Sequence, residues 1–408
     1  MAASYTSRIA EGSDAFDLIL NIRVDALLAS LSLEERVGQM FIVDLRSKSD
    51  YPVRTVDDEV RQMILRVAPG GVLLFGANID TVEQTIGLVG DLQAISKIPL
   101  TIAVDFEGGR VSRLTSSGKI PATTIPSSRT IGSTGDPALA YRIGRVMGAE
   151  LRALGMNMNF APVADVFSNP SSMIGDRAFS SDPEVVSAMA AAMVEGIQAE
   201  MVSSVVKHFP GHGDTDSDSH DGLATLPHGR ERLEAVEFLP FRGAIVAGAD
   251  GIMTAHIVVP QIDAESIPTT FSRKLITEEL RDRMGHRGLV ITDSLAMRAI
   301  RNAWDSDVSA VRAIVAGADI LLHPFDIDAA VGSVIEAVRS GLVAGSRIAE
   351  SVRQILRTKI IRGVGEPIHS DPLTILGSIE HAKTVDDVLD AVGQLATRQQ
   401  DAAQAPER

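Results

Sequence analysis

The segment Lys207-His208-Phe209-Pro210-Gly211-His212-Gly213-Asp214-Thr215-Asp216-Ser217-Asp218-Ser219-His220 packs three histidines, three aspartates, a lysine and two glycines into fourteen residues. It follows the apolar run 202–206, which reads as a buried strand. A loop this rich in titratable groups just past a strand is where an α/β protein keeps its chemistry. Asp218 and His220 are one residue apart. In an extended loop both side chains face one way, so the carboxylate orients the imidazole and raises its basicity. A histidine so held suits a group that must give up a proton and later take one back. The bland alternative is a solvent loop in which the aspartate caps a turn.

Metal chemistry is the other reading of such a segment, and the spacing argues against it. Asp214, Asp216 and Asp218 alternate as at the start of a calcium-binding helix–loop–helix, but Ser219 stands where the turn needs glycine and Thr225 where it needs glutamate. His208 and His212 are four apart, yet Pro210 and Gly211 prevent the helix that would align them for zinc. With no cysteine in the chain, disulfides, thiolate metal sites and cysteine nucleophiles are excluded. Neither a metal nor an organic cofactor is expected.

Other segments end in chemically loaded residues. In Ile291-Thr292-Asp293-Ser294 an apolar strand ends on Asp293, with a helix expected directly after it. Asp293 is then either a helix N-cap or a carboxylate aimed into a site. Val104-Asp105-Phe106-Glu107-Gly108-Gly109 is a strand end followed by a glycine turn. Arg177 lies in a long loop, where an arginine is ordinarily a surface residue.

These residues need elements to position them. Apolar runs at 38–45, 71–75, 100–106, 156–163, 202–209, 251–256, 288–293 and 318–323 read as eight strands. Amphipathic stretches such as 137–154, 183–200, 231–247 and 306–316 lie between them. Such alternation implies a parallel sheet with crossover helices, and eight units suit a (β/α)8 TIM-type barrel. An open doubly wound sheet is the rival. The barrel is favoured because Asp105, Asp165, Lys207, His208, His256, Asp293 and His323 all sit at strand ends, which a barrel gathers on one face. Gly-Ala-Asp recurs at 248–250 and 317–319, where glycine supplies the left-handed helix end. The catalytic barrel is assigned to residues 1–365. A tail, 366–408, is assigned a helix over 384–396 and a disordered end from Arg398.

A net charge of −15 over 408 residues offers no basic stripe for nucleic acid. No window approaches the length of a membrane span, and the N-terminus lacks a secretory pattern. The expectation is a cytoplasmic protein, monomeric or weakly dimeric. Glycines and short polar residues give 211–222 little to bury, so that loop is expected to move.

Taken together, VDFEGGRVSRL, IGDRAFS, KHFPGHGDTDSDSH and ITDSLAM, in that order, resemble the single-domain bacterial β-N-acetylglucosaminidases of glycoside hydrolase family three. The resemblance covers about residues 30 to 360. It implies an exo-acting retaining enzyme that releases N-acetylglucosamine from a small carbohydrate substrate. Asp293 matches the family's nucleophile, His220 its general acid/base and Asp218 the partner of that histidine. Asp105, Arg113, Arg177, Lys207 and His208 match positions that hold sugar hydroxyls. Phosphorolysis, a broader β-glycosidase activity and a sugar-binding barrel without catalysis are the alternatives. The intact Asp293, His220 and Asp218 count against the last. Glu107 and Asp214 are the rival proton donors.

Overall fold

The computed structural model describes residues 2–45, 52–215, 223–367 and 370–404. Eight strands form one sheet: β1 Phe41–Asp44, β2 Gly71–Leu74, β3 Thr101–Val104, β4 Met158–Asn159, β5 Ser203–Phe209, β6 Gly251–Thr254, β7 Leu289–Thr292 and β8 Leu321–Leu322. Every neighbouring pair is parallel, in the order β7-β6-β5-β4-β3-β2-β1-β8. The two ends of that order meet through a parallel bridge between Ile291 and Ile320 and a Thr292 N–H bond to the Ile320 carbonyl. The sheet is thus a (β/α)8 barrel, and the open alternative is set aside. All eight expected strands are present, with shorter ends. The first begins later than expected because Gly38 and Gln39 finish the helix Leu33–Gln39, which Ser32 and Glu35 start with a reciprocal capping box.

Apolar residues such as Val72, Leu74, Ile102, Val205, Ile252 and Ile291 are fully buried, the continuous apolar strand pattern that a sheet covered on both faces requires. The crossover helices read directly from sequence. Pro137–Ala153 and Pro183–Ala199 each begin with proline behind an aspartate N-cap, Asp136 and Asp182. They pack so closely that a Cβ on Gly196 would lie 2.2 Å from the Tyr141 carbonyl oxygen. Ser306–Ala316 matches its expected span, whereas 231–247 divides into Arg230–Ala235 and Phe238–Val246. Gly248 and Gly317 have φ of 77° and 121°, as the Gly-Ala-Asp reading requires.

Two terminal helices flank the barrel. Ala2–Ala29, unforeseen from sequence, buries Leu20, Val24 and Leu28 and packs on Gly345–Ile361. Ile379–Gln404 is longer than the helix expected over 384–396 and includes residues from Arg398 onward that composition reads as disordered. It packs on Pro137–Ala153, buries Val388 and pairs Asp387 with Arg142 at 2.6 Å. Glu150 of the barrel is fully buried and accepts hydrogen bonds from Thr123, Gly377 and His381. The tail is therefore docked through a buried carboxylate. No helix among the described residues is long and apolar enough to cross a membrane.

Candidate active site

The carboxyl ends of the strands surround a cavity of about 670 Å³, lined by Asp105, Glu107, Arg113, Arg177, Lys207, His208, His212, Asp293, Ser294 and His323 among others. Asp105 follows β3 directly. Phe106–Gly108 then pairs with Val111–Ser112 in a small antiparallel hairpin. The turn uses Gly108 and Gly109 at positive φ, 87° and 54°, a backbone region that costs glycine nothing. Phe106, between Asp105 and Glu107 in the chain, is fully buried, so the alternation of an extended chain leaves Asp105 and Glu107 together on the cavity wall. The hairpin also returns Arg113, whose guanidinium lies 3.8 Å from Asp105 and whose Nε is buried without a hydrogen-bond partner.

Lys207, on β5, is held between two carboxylates, with Nζ 2.7 Å from both Asp105 and Glu107. Arg177, in the turn Gly175–Arg177, grips Glu107 with two donors at 2.8 and 2.9 Å. A third contact runs from its Nη2 to His208 Nε2 at 3.3 Å. Arginine only donates, so this nitrogen of His208 accepts and the ring proton lies on Nδ1, 2.7 Å from Asp165. The buried Asp165 also accepts the His212 N–H at 2.7 Å. Asp165 and His256 are fully buried and do not line the cavity: Asp165 holds His208, and His256 bonds the Ser294 carbonyl, while the other strand-end residues line it.

Burial works against ionising Glu107, but the Lys207 and Arg177 charges overcome it and hold the carboxyl far below the usual range. Asp293 is governed by the same balance. Burial raises its pKa, while His256, the Ser294 N–H and Lys207 lower it more, and the net direction is down. Lys207 is pushed down by burial and raised further by Asp105 and Glu107, so it stays charged. Burial drives His212 the other way, toward neutrality. Glu107 is therefore a member of a buried ion cluster with Lys207 and Arg177, which counts against it as the rival proton donor. Glu107→Gln should leave Lys207 and Arg177 with too little countercharge. Breaking such a cluster costs about 3–5 kcal/mol. Urea unfolding of the variant should show a loss of that order, and a change under about 1 kcal/mol, the scale of an exposed pair, would contradict the buried-cluster reading.

The structure settles two alternatives raised by the sequence. Asp293 caps no helix: the next one, Arg298–Arg301, starts five residues later with Met297 at its N-cap, and Asp293 Oδ1 accepts the Ser294 N–H at 2.7 Å. Arg177 is no surface residue, since its side chain is 13% exposed and committed to Glu107. The six sequence candidates Asp105, Arg113, Arg177, Lys207, His208 and Asp293 share the cavity. Asp218 and His220 lie outside the described residues. Asp214 does not line the cavity and pairs with His228 instead. The start of the loop expected to move is well packed. Residues 211–213 and 215 are buried, and a Cβ on Gly213 would meet the Val166 carbonyl oxygen at 1.8 Å.

Comparison with known proteins agrees with this fold. The model of the glycosyl hydrolase family 3 N-terminal domain matches residues 32–358. A beta-hexosaminidase of Nitrosomonas eutropha is 38% identical over 287 residues, covering 69% of this chain and 81% of that protein. Beta-hexosaminidase A of Pseudoalteromonas piscicida is 35% identical over 340 residues; the match covers 76% of this chain but only 56% of that longer protein. Among solved structures, a family 3 beta-N-acetylglucosaminidase from Paenibacillus sp. strain FPU-7 superposes with a TM-score of 0.83 at 36% identity, covering 89% of this chain and 69% of that one. The chain belongs to glycosyl hydrolase family 3, whose N-terminal domain it carries as the (β/α)8 barrel around this cavity.

Proposed function

We propose that this chain is an exo-acting, retaining β-N-acetylglucosaminidase that works through a covalent glycosyl–enzyme. The observation that carries the reading is the place of Asp293, directly after β7 in a cavity that the Asp105–Lys207–Glu107–Arg177–His208 network also lines. In the proposed first step an Asp293 oxygen attacks the anomeric carbon as the glycosidic C–O bond breaks and His220 protonates the departing oxygen. In the second, His220 takes a proton from water, the water oxygen bonds the anomeric carbon and Asp293 leaves. Asp218 orients the imidazole.

The charge pairing in the cavity is compatible with a proton donor other than its carboxylates. The described carboxylates that line the cavity are Asp105, Glu107 and Asp293. The first two are bound to Lys207 and the third is the proposed nucleophile. The proton is assigned to His220 because the Asp218-Ser219-His220 sequence matches the acid/base pair of the family the chain resembles. Asp105, Arg113, Arg177, Lys207 and His208 are assigned to the sugar hydroxyls. Charged groups so placed penalise a sugar lacking its hydroxyl, because they are left unpaired. Similarity to the Paenibacillus beta-N-acetylglucosaminidase, together with the beta-hexosaminidase relatives, supports N-acetylglucosamine as the sugar.

An aryl N-acetyl-β-glucosaminide assayed with and without inorganic phosphate tests the reading. Expected is release of free N-acetylglucosamine, first as its β-anomer, at a rate indifferent to phosphate. Sugar 1-phosphate as the product would replace hydrolysis by phosphorolysis, and no turnover of any aryl β-glycoside would leave a binding barrel.

A further inference from the structure

Outside the catalytic cavity, three potential metal-binding side chains converge. Asp214 follows β5, His228 lies beyond the short strand Ala224–Thr225, and Glu237 is the residue before the helix Phe238–Val246. One oxygen or nitrogen from each lies within 4.8 Å of the other two. None of the three lines the catalytic cavity. Independently of that convergence, Glu237 is only 3% exposed, and its Oε2 is buried without a hydrogen-bond partner. A buried carboxylate oxygen is costly to leave unanswered.

The ordinary explanation is local charge pairing. His228 Nε2 bonds Asp214 Oδ2, and Arg232 serves both acids. That pairing is incomplete. Arg232 reaches Glu237 only at Oε1, at 3.1 Å, stands 3.8 Å from Asp214, and is 41% exposed. Nothing in it answers Oε2.

We propose that Asp214, His228 and Glu237 bind a divalent first-row cation, with Zn²⁺ the best match. Two carboxylates and one imidazole supply two negative charges and a borderline nitrogen donor, and three protein ligands leave a fourth position for water. Bonds of ~2.0–2.2 Å in a tetrahedral array place ligand atoms about 3.3 Å apart. Asp214 and His228, now in direct hydrogen-bond contact, must therefore separate slightly to admit the ion. A cation here ties residues 214 and 228, which flank the segment containing Asp218 and His220, to one barrel helix.

The test is equilibrium dialysis of the tag-free full chain, stripped by chelation, against ZnCl₂, with metal counted by elemental analysis. One Zn²⁺ per chain is expected. Asp214→Asn and His228→Gln, both at partly exposed positions, should each weaken it by at least ~10-fold, the lower end of what disturbing a metal site costs. His220→Gln should leave it unchanged. A hundredfold excess of Mg²⁺ or Ca²⁺ should not displace it, because these ions prefer all-oxygen sites. No stoichiometric Zn²⁺, or a stoichiometric site that both Asp214→Asn and His228→Gln leave intact, overturns the proposal. Loss on His220→Gln alone would place the metal at the catalytic pair instead, and ready displacement by Mg²⁺ would remove the imidazole from the ligand set.

Discussion

Asp293→Asn will reduce turnover by roughly 10⁴-fold or more, because removing the nucleophile from a catalytic unit removes most of the acceleration beyond binding. The amide keeps the shape of the carboxylate but carries no charge to attack with. The Lys207–Glu107–Arg177 cluster that lines the cavity does not depend on Asp293, so the variant should fold and still bind a terminal sugar. Binding is read by calorimetry with N-acetylglucosamine, turnover by the aryl glycoside. Residual activity within tenfold of the parent protein would mean that the charge on Asp293 contributes only to the field of the cavity.

His220→Ala will separate substrates by leaving group. A poor leaving group needs its oxygen protonated as the bond breaks, so its cleavage should slow by about 10²–10⁴-fold, the usual contribution of one general acid–base group. An activated aryl glycoside needs little protonation, and its first step should be largely spared. Its second step still needs the histidine to activate water, so the glycosyl–enzyme should accumulate and a burst of phenol should precede slow turnover. Asp218→Ala should reproduce the pattern more weakly, through an unoriented ring. Equal losses on both substrates would reduce His220 to a binding role and reopen the question of the acid. Asp105 would then be the carboxylate to test, since Glu107 is held ionised by two cations.

The barrel was legible in sequence because its signals are local. Apolar runs ended on polar residues, and glycine at 248 and 317 marked the turns into the next strands. What escaped was long-range. Glu107 read as a rival acid, because the sequence does not show that Lys207 and Arg177, 100 and 70 positions further along the chain, close on it in space. The signal that was available is its place two residues after Asp105, which puts both carboxylates on one side of an extended chain. The helix Ala2–Ala29 was missed because its apolar residues divide between a buried face (Leu20, Val24, Leu28) and exposed positions (Phe16, Ile19, Ile22), which blurs the periodicity. The helix Ile379–Gln404 was cut short because its last residues are polar, and helical geometry there follows from continuity rather than from an apolar stripe. The Asp214, His228 and Glu237 cluster shows no motif spacing at all, since the fold alone brings positions 214, 228 and 237 together.

The central claim is that Asp293 forms a covalent bond to the sugar. A 2-fluoro glycoside with an activated leaving group slows the second step more than the first and lets the intermediate persist. After incubation and peptic digestion, mass spectrometry should find one added fluorosugar on the peptide containing Ile291-Thr292-Asp293-Ser294, with fragmentation placing it on Asp293. The same label on Asp105 or Glu107, or time-dependent inactivation without any covalent adduct, would contradict the account.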